Sequence, residues 1–188
     1  MTLTEVLHRV VTVLADLEIP YALVGAWASN AYGIPRATQD VDVVAVVNAS
    51  RVEAVLQELG SEFRRDAQRS FETATATSRH VIHHHPARQP PLRIELFELS
   101  DDPFDRERFA RRQKVSLRGA PVFLLTPEDT LLTKLRWYEA LKRPKDWQDA
   151  RGIVAVQAEN LDGAYVRRWS DRLGTSALLD QLRGSLPP

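Results

Sequence analysis

The 188-residue sequence has no cysteine, one methionine and no surplus charge of either sign, 25 Lys and Arg standing against 25 Asp and Glu. Without cysteine there is no disulfide framework, no thiolate-bound zinc and no thiol nucleophile. The longest apolar run falls far short of the roughly 20 residues that cross a bilayer. The N-terminal stretch MTLTEVLHRVVTVLADLEIP has apolar residues at helical spacing, broken by Glu5, His8, Arg9 and Asp16. It reads as an amphipathic helix and not as a secretory signal, so the expected compartment is the cytoplasm. A neutral chain feels no bulk pull toward polyanions, and nucleic-acid contact would need a local basic patch.

A chain this long buries about 70% of its unfolded surface, enough for one good core or one domain with a helical appendage. Leu3, Val6, Leu7, Val10, Val13, Leu14 and Leu17 recur at three- and four-residue spacing, predicting a helix over residues 2–18 that Pro20 ends. Tyr21–Val24 reads as a short strand stopped by Gly25, and AWASNAYG as a short helix closed by Gly33 and Pro35. Val41–Val47 is rich in β-branched residues, the pattern of a strand buried on both faces, and Ser50 caps a helix to Leu59. Residues 61–99 alternate Thr, Arg and His with apolar residues and predict an antiparallel extension ending in LRIELF. Residues 106–118 carry six basic side chains and one acid, a basic helix or helix-turn ahead of a hairpin centred on Gly119. After Thr126 and Pro127, a cap and a first-position proline, helices are predicted over 127–142, 146–158, 162–173 and 175–184. The expected class is α/β: a mixed sheet flanked by helices over residues 1–125, then a helical subdomain over 126–188.

Asp40 and Asp42 are one residue apart at the start of an otherwise apolar strand, so both side chains point to one side. Carboxylates this close resist ionising together unless a cation lies between them, which suits a hard divalent ion such as magnesium. Asp-x-Asp also arises readily by chance, and acidic strand ends are often only solvated. The preceding unit adds weight: a strand runs into Val24-Gly25-Ala26 and a helix begins, where bare backbone N–H groups suit a phosphate.

The stretch VGAWASNAYGIPRATQDVDVV resembles the signature of the DNA polymerase β-like nucleotidyltransferases. That signature is an apolar residue, Gly, a Gly or Ser, then some ten residues and an Asp-x-Asp on the next strand. The bacterial lead-in Gly-x-x-Arg-x-Thr-x-Asp is present too, while Ala26 departs from the usual Gly or Ser and removes a hydroxyl contact to phosphates. TPEDTLLTKLRWYEALKRPKDWQDARGIV is similar to the helical portion of bacterial members, including the abortive-infection (AbiEii) toxin-like ones. It matches at Lys134 and in an Arg-x-Lys-Asp-x-x-Asp run ending in Asp146 and Asp149.

The resemblance implies transfer of a nucleoside monophosphate from an NTP to an acceptor: a small molecule, a protein or a tRNA. For toxin-like members it also implies a partner antitoxin protein. Two Mg2+ ions would be bridged by Asp40 and Asp42 and joined by a third carboxylate from a later strand. Glu95, in Leu92–Leu99, is the candidate, with Glu98 as substitute; the other reading of Glu95 is a surface pair with Arg93, since the two share a face. Gly25, Ala26, Trp27, Arg36, Thr38, Lys134, Asp146 and Asp149 would bind or border the nucleotide. Lys134 would bring positive charge to the triphosphate, while Asp146 and Asp149 would orient it, accept a proton or simply cap a helix. Arg36 would contact phosphates or only balance the acidic pair.

The second function class is a nucleotide-binding or interaction module that keeps the fold with little catalysis, suggested by Ala26 and by Glu95 where Asp is usual. His80, His83, His84 and His85 lack a clear third ligand for zinc and read as solvated or cleft-lining. Trp27, Trp137, Trp147 and Trp169 read chiefly as packing residues, with Trp27 also beside the nucleotide. Arg106–Arg118 reads as a solvated face, or as a contact for a polynucleotide acceptor.

Overall fold

The computed structural model describes residues 1–66, 70–72, 77–85 and 91–185. Thr2 opens the first helix with a reciprocal cap, accepting from the Glu5 N–H while the Glu5 carboxylate accepts from its own N–H. Helix α1 (Leu3–Asp16) buries Val6, Leu7, Val10, Val11, Val13 and Leu14 along one face. It is followed by β1 (Tyr21–Leu23), α2 (Gly25–Tyr32), β2 (Asp40–Ala45) and α3 (Ala49–Leu59), the last capped by Asn48. Then come β3 (Phe63–Arg65), β4 (Ser70–Glu72), β5 (Thr77–His84) and β6 (Leu92–Glu98). Helix α4 (Pro103–Ala110) leads to the hairpin β7 (Gln113–Leu117) and β8 (Ala120–Leu124). The chain finishes in α5 (Pro127–Leu141), α6 (Pro144–Gln157), α7 (Gly163–Arg172) and α8 (Ser176–Gly184).

One mixed sheet runs in the order β3-β5-β6-β2-β1-β8-β7, with β4 beside β5. The β2–β6 and β1–β8 pairs are parallel and the others antiparallel. The expected extension is antiparallel from β3 through β6, but β6 then returns parallel to β2; residues 67–69, 73–76 and 86–90 of that stretch lie outside the described residues.

Apolar residues follow the pleat. Val41, Val43, Ile94 and Leu96 face α1 and α3 in the main core. Val44 and Phe97 face the opposite way and pack with Ala22, Val24, Phe109 and Leu125. A separate cluster joins Leu131, Leu135, Ile153, Trp169 and Leu179 of the C-terminal helices to Phe104. Helix α6 lies hard against the end of α2: a Cβ on Gly33 would sit 2.8 Å from the Ile153 nitrogen, and one on Gly152 3.0 Å from the Ile34 nitrogen. Only residues without side chains let those backbones meet.

The basic run is divided between α4, the turn after it and the β7–β8 hairpin: Arg106, Lys114 and Arg118 are exposed, as a solvated face requires, while Arg108, Arg111 and Arg112 turn inward. Arg108 is buried against Asp105 at 2.7 Å, Arg111 pairs with Asp129 at 3.1 Å, and Arg112 lies over the Phe109 and Phe123 rings. Arginines that turn inward here find acids or rings, since a buried charge without a partner is costly. Helix α6 starts two residues before its expected position because Pro144 can occupy a first turn. Among the described residues no helix is long and apolar enough to cross a membrane.

Candidate active site

The β2–β6 register sets the centre of the site. Asp40 lies opposite Arg93 and Asp42 opposite Glu95, so alternation brings all four side chains to one face of the sheet. Two residues further along each strand, Val44 and Phe97 occupy the same face, which passes from charged to apolar along its length. Glu95 is buried, so its contact with Arg93 is not the surface pair expected of it. It faces Asp42, and it is also paired with Arg93 at 3.3 Å and Arg79 at 3.2 Å. Arg93 in addition grips both oxygens of Asp40 at 2.9 Å. The Arg93 guanidinium is held above its ordinary pKa first by that hydrogen bond and then by Glu95 and the Asp pair. Glu98 points to the other face, toward buried His80 at 2.8 Å, and is not the third carboxylate.

Asp42 differs from its neighbours. Its carboxyl makes no hydrogen bond or ion pair among the described residues. Burial, followed by the nearby charges of Glu95 and Asp40, pushes its pKa up to about 7. Gly25 stands against it with φ +62°, and a Cβ there would lie 1.9 Å from Asp42 Oδ2. The glycine is therefore required first for the close approach of this carboxylate and for a left-handed backbone. It also brings the start of α2, which lacks a side-chain cap, next to the acids.

The opposite wall comes from the helices. Lys134 on α5 is only 2% exposed and reaches Asp146 at 3.2 Å and Asp149 at 2.8 Å. Arg143 holds the other Asp146 oxygen at 2.7 Å. Arg36 makes a two-pronged contact to Asp149 at 2.6 and 3.0 Å, joining the α2–β2 loop to α6 across 113 residues. Burial opposes ionisation of Asp149, but hydrogen bonds and charge from Arg36 and Lys134 outweigh it and leave the pKa lowered. Asn30 fixes the Arg36 backbone, donating to its carbonyl and accepting from its N–H. Thr38 bonds the backbone of Asp40 at the strand entrance.

One cleft is lined by Gly25, Ala26, Arg36, Thr38, Asp40 and Asp42 from the first part of the chain, Glu95 from β6, and Lys134 and Asp146 from the helices. Asp149 stands behind Arg36 and Lys134. Trp27 does not line the cleft: it is buried in the main core and donates its indole N–H to the Asp40 carbonyl at 3.1 Å. Arg79, Arg93, Trp137, Arg143 and Lys145 also line it. They were not singled out from sequence as nucleotide contacts, although Arg143 and Lys145 lie within the Arg-x-Lys-Asp run. The Trp137 indole nitrogen and Arg143 Nη2 are buried there without a partner among the described residues, as donors suited to an anion. The histidines are divided between faces: His80 and His84 are buried, and His83 pairs with Asp66 at 3.1 Å.

Among the described residues no three His, Asp or Glu side chains form a finished metal cage. The donor chemistry nevertheless fits a hard divalent cation. Asp40, Asp42 and Glu95 offer oxygen ligands on one face, and Asp42, whose pKa is raised first by burial and then by the charges of Glu95 and Asp40, is a carboxylate whose ionised form a cation would favour. Such an ion would have to displace Arg93 from Asp40.

No protein-family model matches the chain, and no curated protein does. Solved structures do match. An antigenic nucleotidyltransferase-like protein from Paracoccidioides brasiliensis aligns over 97% of this chain and 88% of its own, with TM-score 0.66 and 22% identity. ANT(2")-Ia in complex with adenylyl-2"-tobramycin aligns over 91% and 95%, at 0.60 and 13%. The lincosamide antibiotic adenylyltransferase LnuA, lincomycin-bound, aligns over 83% and 98%, at 0.53 and 13%. The chain thus has the nucleotidyltransferase fold, a mixed sheet flanked by helices.

Proposed function

We propose that this chain is a magnesium-dependent nucleotidyltransferase moving a nucleoside monophosphate from an NTP to an acceptor hydroxyl. The observation that carries the reading is Asp42 facing Glu95 in register, beside Asp40 and against the Gly25 start of α2, with Lys134 across the cleft. The fold neighbour that is an adenylyltransferase by name, LnuA, supports the same class.

Gly25 and Ala26 present backbone N–H groups to the triphosphate. Lys134, Arg36, Arg143 and Lys145 surround it with positive charge, and Thr38 lines the approach. Asp40, Asp42 and Glu95 would hold the cations. Bound there, divalent ions supply polarisation of the acceptor hydroxyl and neutralisation of the departing pyrophosphate. The acceptor oxygen bonds to the α-phosphorus as the bond to the β-phosphate bridging oxygen breaks, and pyrophosphate leaves. Glu95 takes the hydroxyl proton. The helices from residue 126 onward form a subdomain that closes the cleft over the nucleotide.

A second reading, a nucleotide-binding module with little catalysis, is favoured by the two-pronged hold of Arg93 on Asp40. The two part in one assay. The protein is incubated with magnesium, each α-labelled NTP and pools of small molecules, proteins or tRNA. Label transfer that disappears in Asp40→Ala and Asp42→Ala supports the enzyme. Nucleotide binding without transfer above those variants supports the module.

A further inference from the structure

The wall of the cleft that faces the strands carries more positive charge than its acids neutralise. Arg36, Lys134 and Arg143 stand against Asp146 and Asp149, and Lys145 adds a fourth base. The four are not equally free. Arg36 commits all three guanidinium nitrogens, two to Asp149 and one to the Ala37 carbonyl. The Lys134 ammonium is buried between Asp146 and Asp149. Arg143 donates from Nε to Asp146 at 2.7 Å, but its Nη2 is buried without a hydrogen-bond partner among the described residues. The Trp137 indole nitrogen is in the same state. The two side chains are neighbours, with the Arg143 guanidinium 4.8 Å from the Trp137 ring centroid. Lys145 is exposed and makes no hydrogen bond or ion pair among the described residues, and its charge reaches Asp42.

We propose that Trp137, Arg143 and Lys145, at the α5–α6 junction, hold the two outer phosphates of the nucleotide, the pair that departs as pyrophosphate. The inference rests on the nucleotidyl-transfer reading, in which the α-phosphate lies at Asp40, Asp42 and Glu95. The other two phosphates must then find donors elsewhere in the cleft. A buried donor without a partner costs free energy that an incoming acceptor restores. An indole N–H and a guanidinium N–H only donate, so the ligand must bring oxygens, and the surplus positive charge selects an anion. Lys134 and Arg36 are the stronger candidates by charge and position, yet their donors are already taken by Asp146 and Asp149. Asp146 accepts from Lys134 on one oxygen and from Arg143 on the other, which fixes the Arg143 end of the site. Arg143 keeps 33% of its side chain exposed and Lys145 is exposed, so their ends can swing aside to admit a ligand to the buried donors.

Calorimetric titration of the intact protein with pyrophosphate, in magnesium, tests the assignment. Pyrophosphate binds, Trp137→Phe and Arg143→Gln each weaken it about tenfold or more, and Lys145→Ala weakens it severalfold. Phenylalanine keeps an aromatic ring beside Arg143 and Phe97 and removes the N–H, and circular dichroism melts confirm that the variants fold. Proton–nitrogen spectra supply a readout that a packing role would not move. The indole signal that Trp137→Phe deletes shifts on addition of pyrophosphate and stays in place on addition of AMP, which has no outer phosphates. The assignment is overturned if pyrophosphate does not bind, if any of the three variants stays within about twofold of the parent, or if that indole signal stays still or answers equally to AMP. Pyrophosphate binding is read without turnover. Absence of label transfer from every α-labelled NTP would therefore sink the transfer reading and leave a diphosphate site standing, whereas transfer with no pyrophosphate effect in the variants would sink this assignment alone.

Discussion

Two groups of acids meet across the cleft, and among the described residues only one has every carboxylate paired. Both oxygens of Asp146 and both of Asp149 meet a base, at distances from 2.6 to 3.2 Å, supplied by Arg36, Lys134 and Arg143. The Asp149 pKa is lowered accordingly. Asp42 instead faces Glu95 and Asp40, and its pKa is pushed up to about 7. Buried charge is tolerated when it is paired and hydrogen-bonded, and it raises the free energy of the fold when it is not. The helical cluster ties the two halves of the cleft together. In the strand cluster Arg93 and Arg79 meet Asp40 and Glu95, and Asp42 is left without a hydrogen bond or ion pair among the described residues.

The sharpest way to separate these clusters is Asp42→Asn. Label transfer should fall roughly a thousandfold, as loss of charge stabilisation at a reacting centre does. The same variant should be more stable than the parent in metal-free buffer at pH 8, by on the order of 1–3 kcal/mol in urea unfolding. The sign follows from the raised pKa. Between the ordinary value of 3.8 and about 7 the folded chain holds a proton that the unfolded chain releases. Stability therefore falls as pH rises through that window, and Asn removes the slope. A variant less stable than the parent at pH 8 would place Asp42 with the structural acids.

Lys134→Ala should act in the opposite sense, destabilising by about 3–5 kcal/mol because it strands buried carboxylates. Urea unfolding midpoints measure it, and a loss under roughly 1 kcal/mol would show that Arg36 and Arg143 suffice. With its pKa lowered, Asp149 contributes stability at neutral pH that is lost as pH falls through the folded value.

Gly25→Ala comes next, at about 2–4 kcal/mol, from left-handed backbone strain plus the clash with Asp42. Pairing it with Asp42→Gly should recover the clash and leave about 1 kcal/mol of backbone strain, which a double-mutant cycle reads directly. The smallest effect is that of the cation itself. Millimolar magnesium should raise the melting temperature at pH 8, equivalent to about 1–3 kcal/mol, and chelator should reverse it. The shift should be absent in Asp42→Asn and intact in Asp149→Asn.

Much of this was legible in the sequence. Apolar spacing located α1 at Leu3–Asp16 within the expected 2–18, and Thr126 with Pro127 located the start of α5. The alternation of β2 put Asp40 and Asp42 on one face before any partner was known. Other features depended on contacts between distant segments. Nothing local to Arg36 says that it will pair with Asp149 rather than with the nearby acids, and Arg93 meets Asp40 only because β6 returns parallel beside β2. Trp27 faces the core because a short helix beginning at a positive-φ glycine turns it there. The Gly33–Gly152 contact is likewise invisible until α2 and α6 meet.

The sequence by itself determined the elements, the acidic pair, and the absence of thiol chemistry, because periodicity, capping and composition act over a few residues. The tertiary structure alone decided which carboxylates are neutralised and which are not. Desolvation and charge pairing depend on what lies within a few ångströms in space, and sheet order and helix packing bring those partners from opposite ends of the chain.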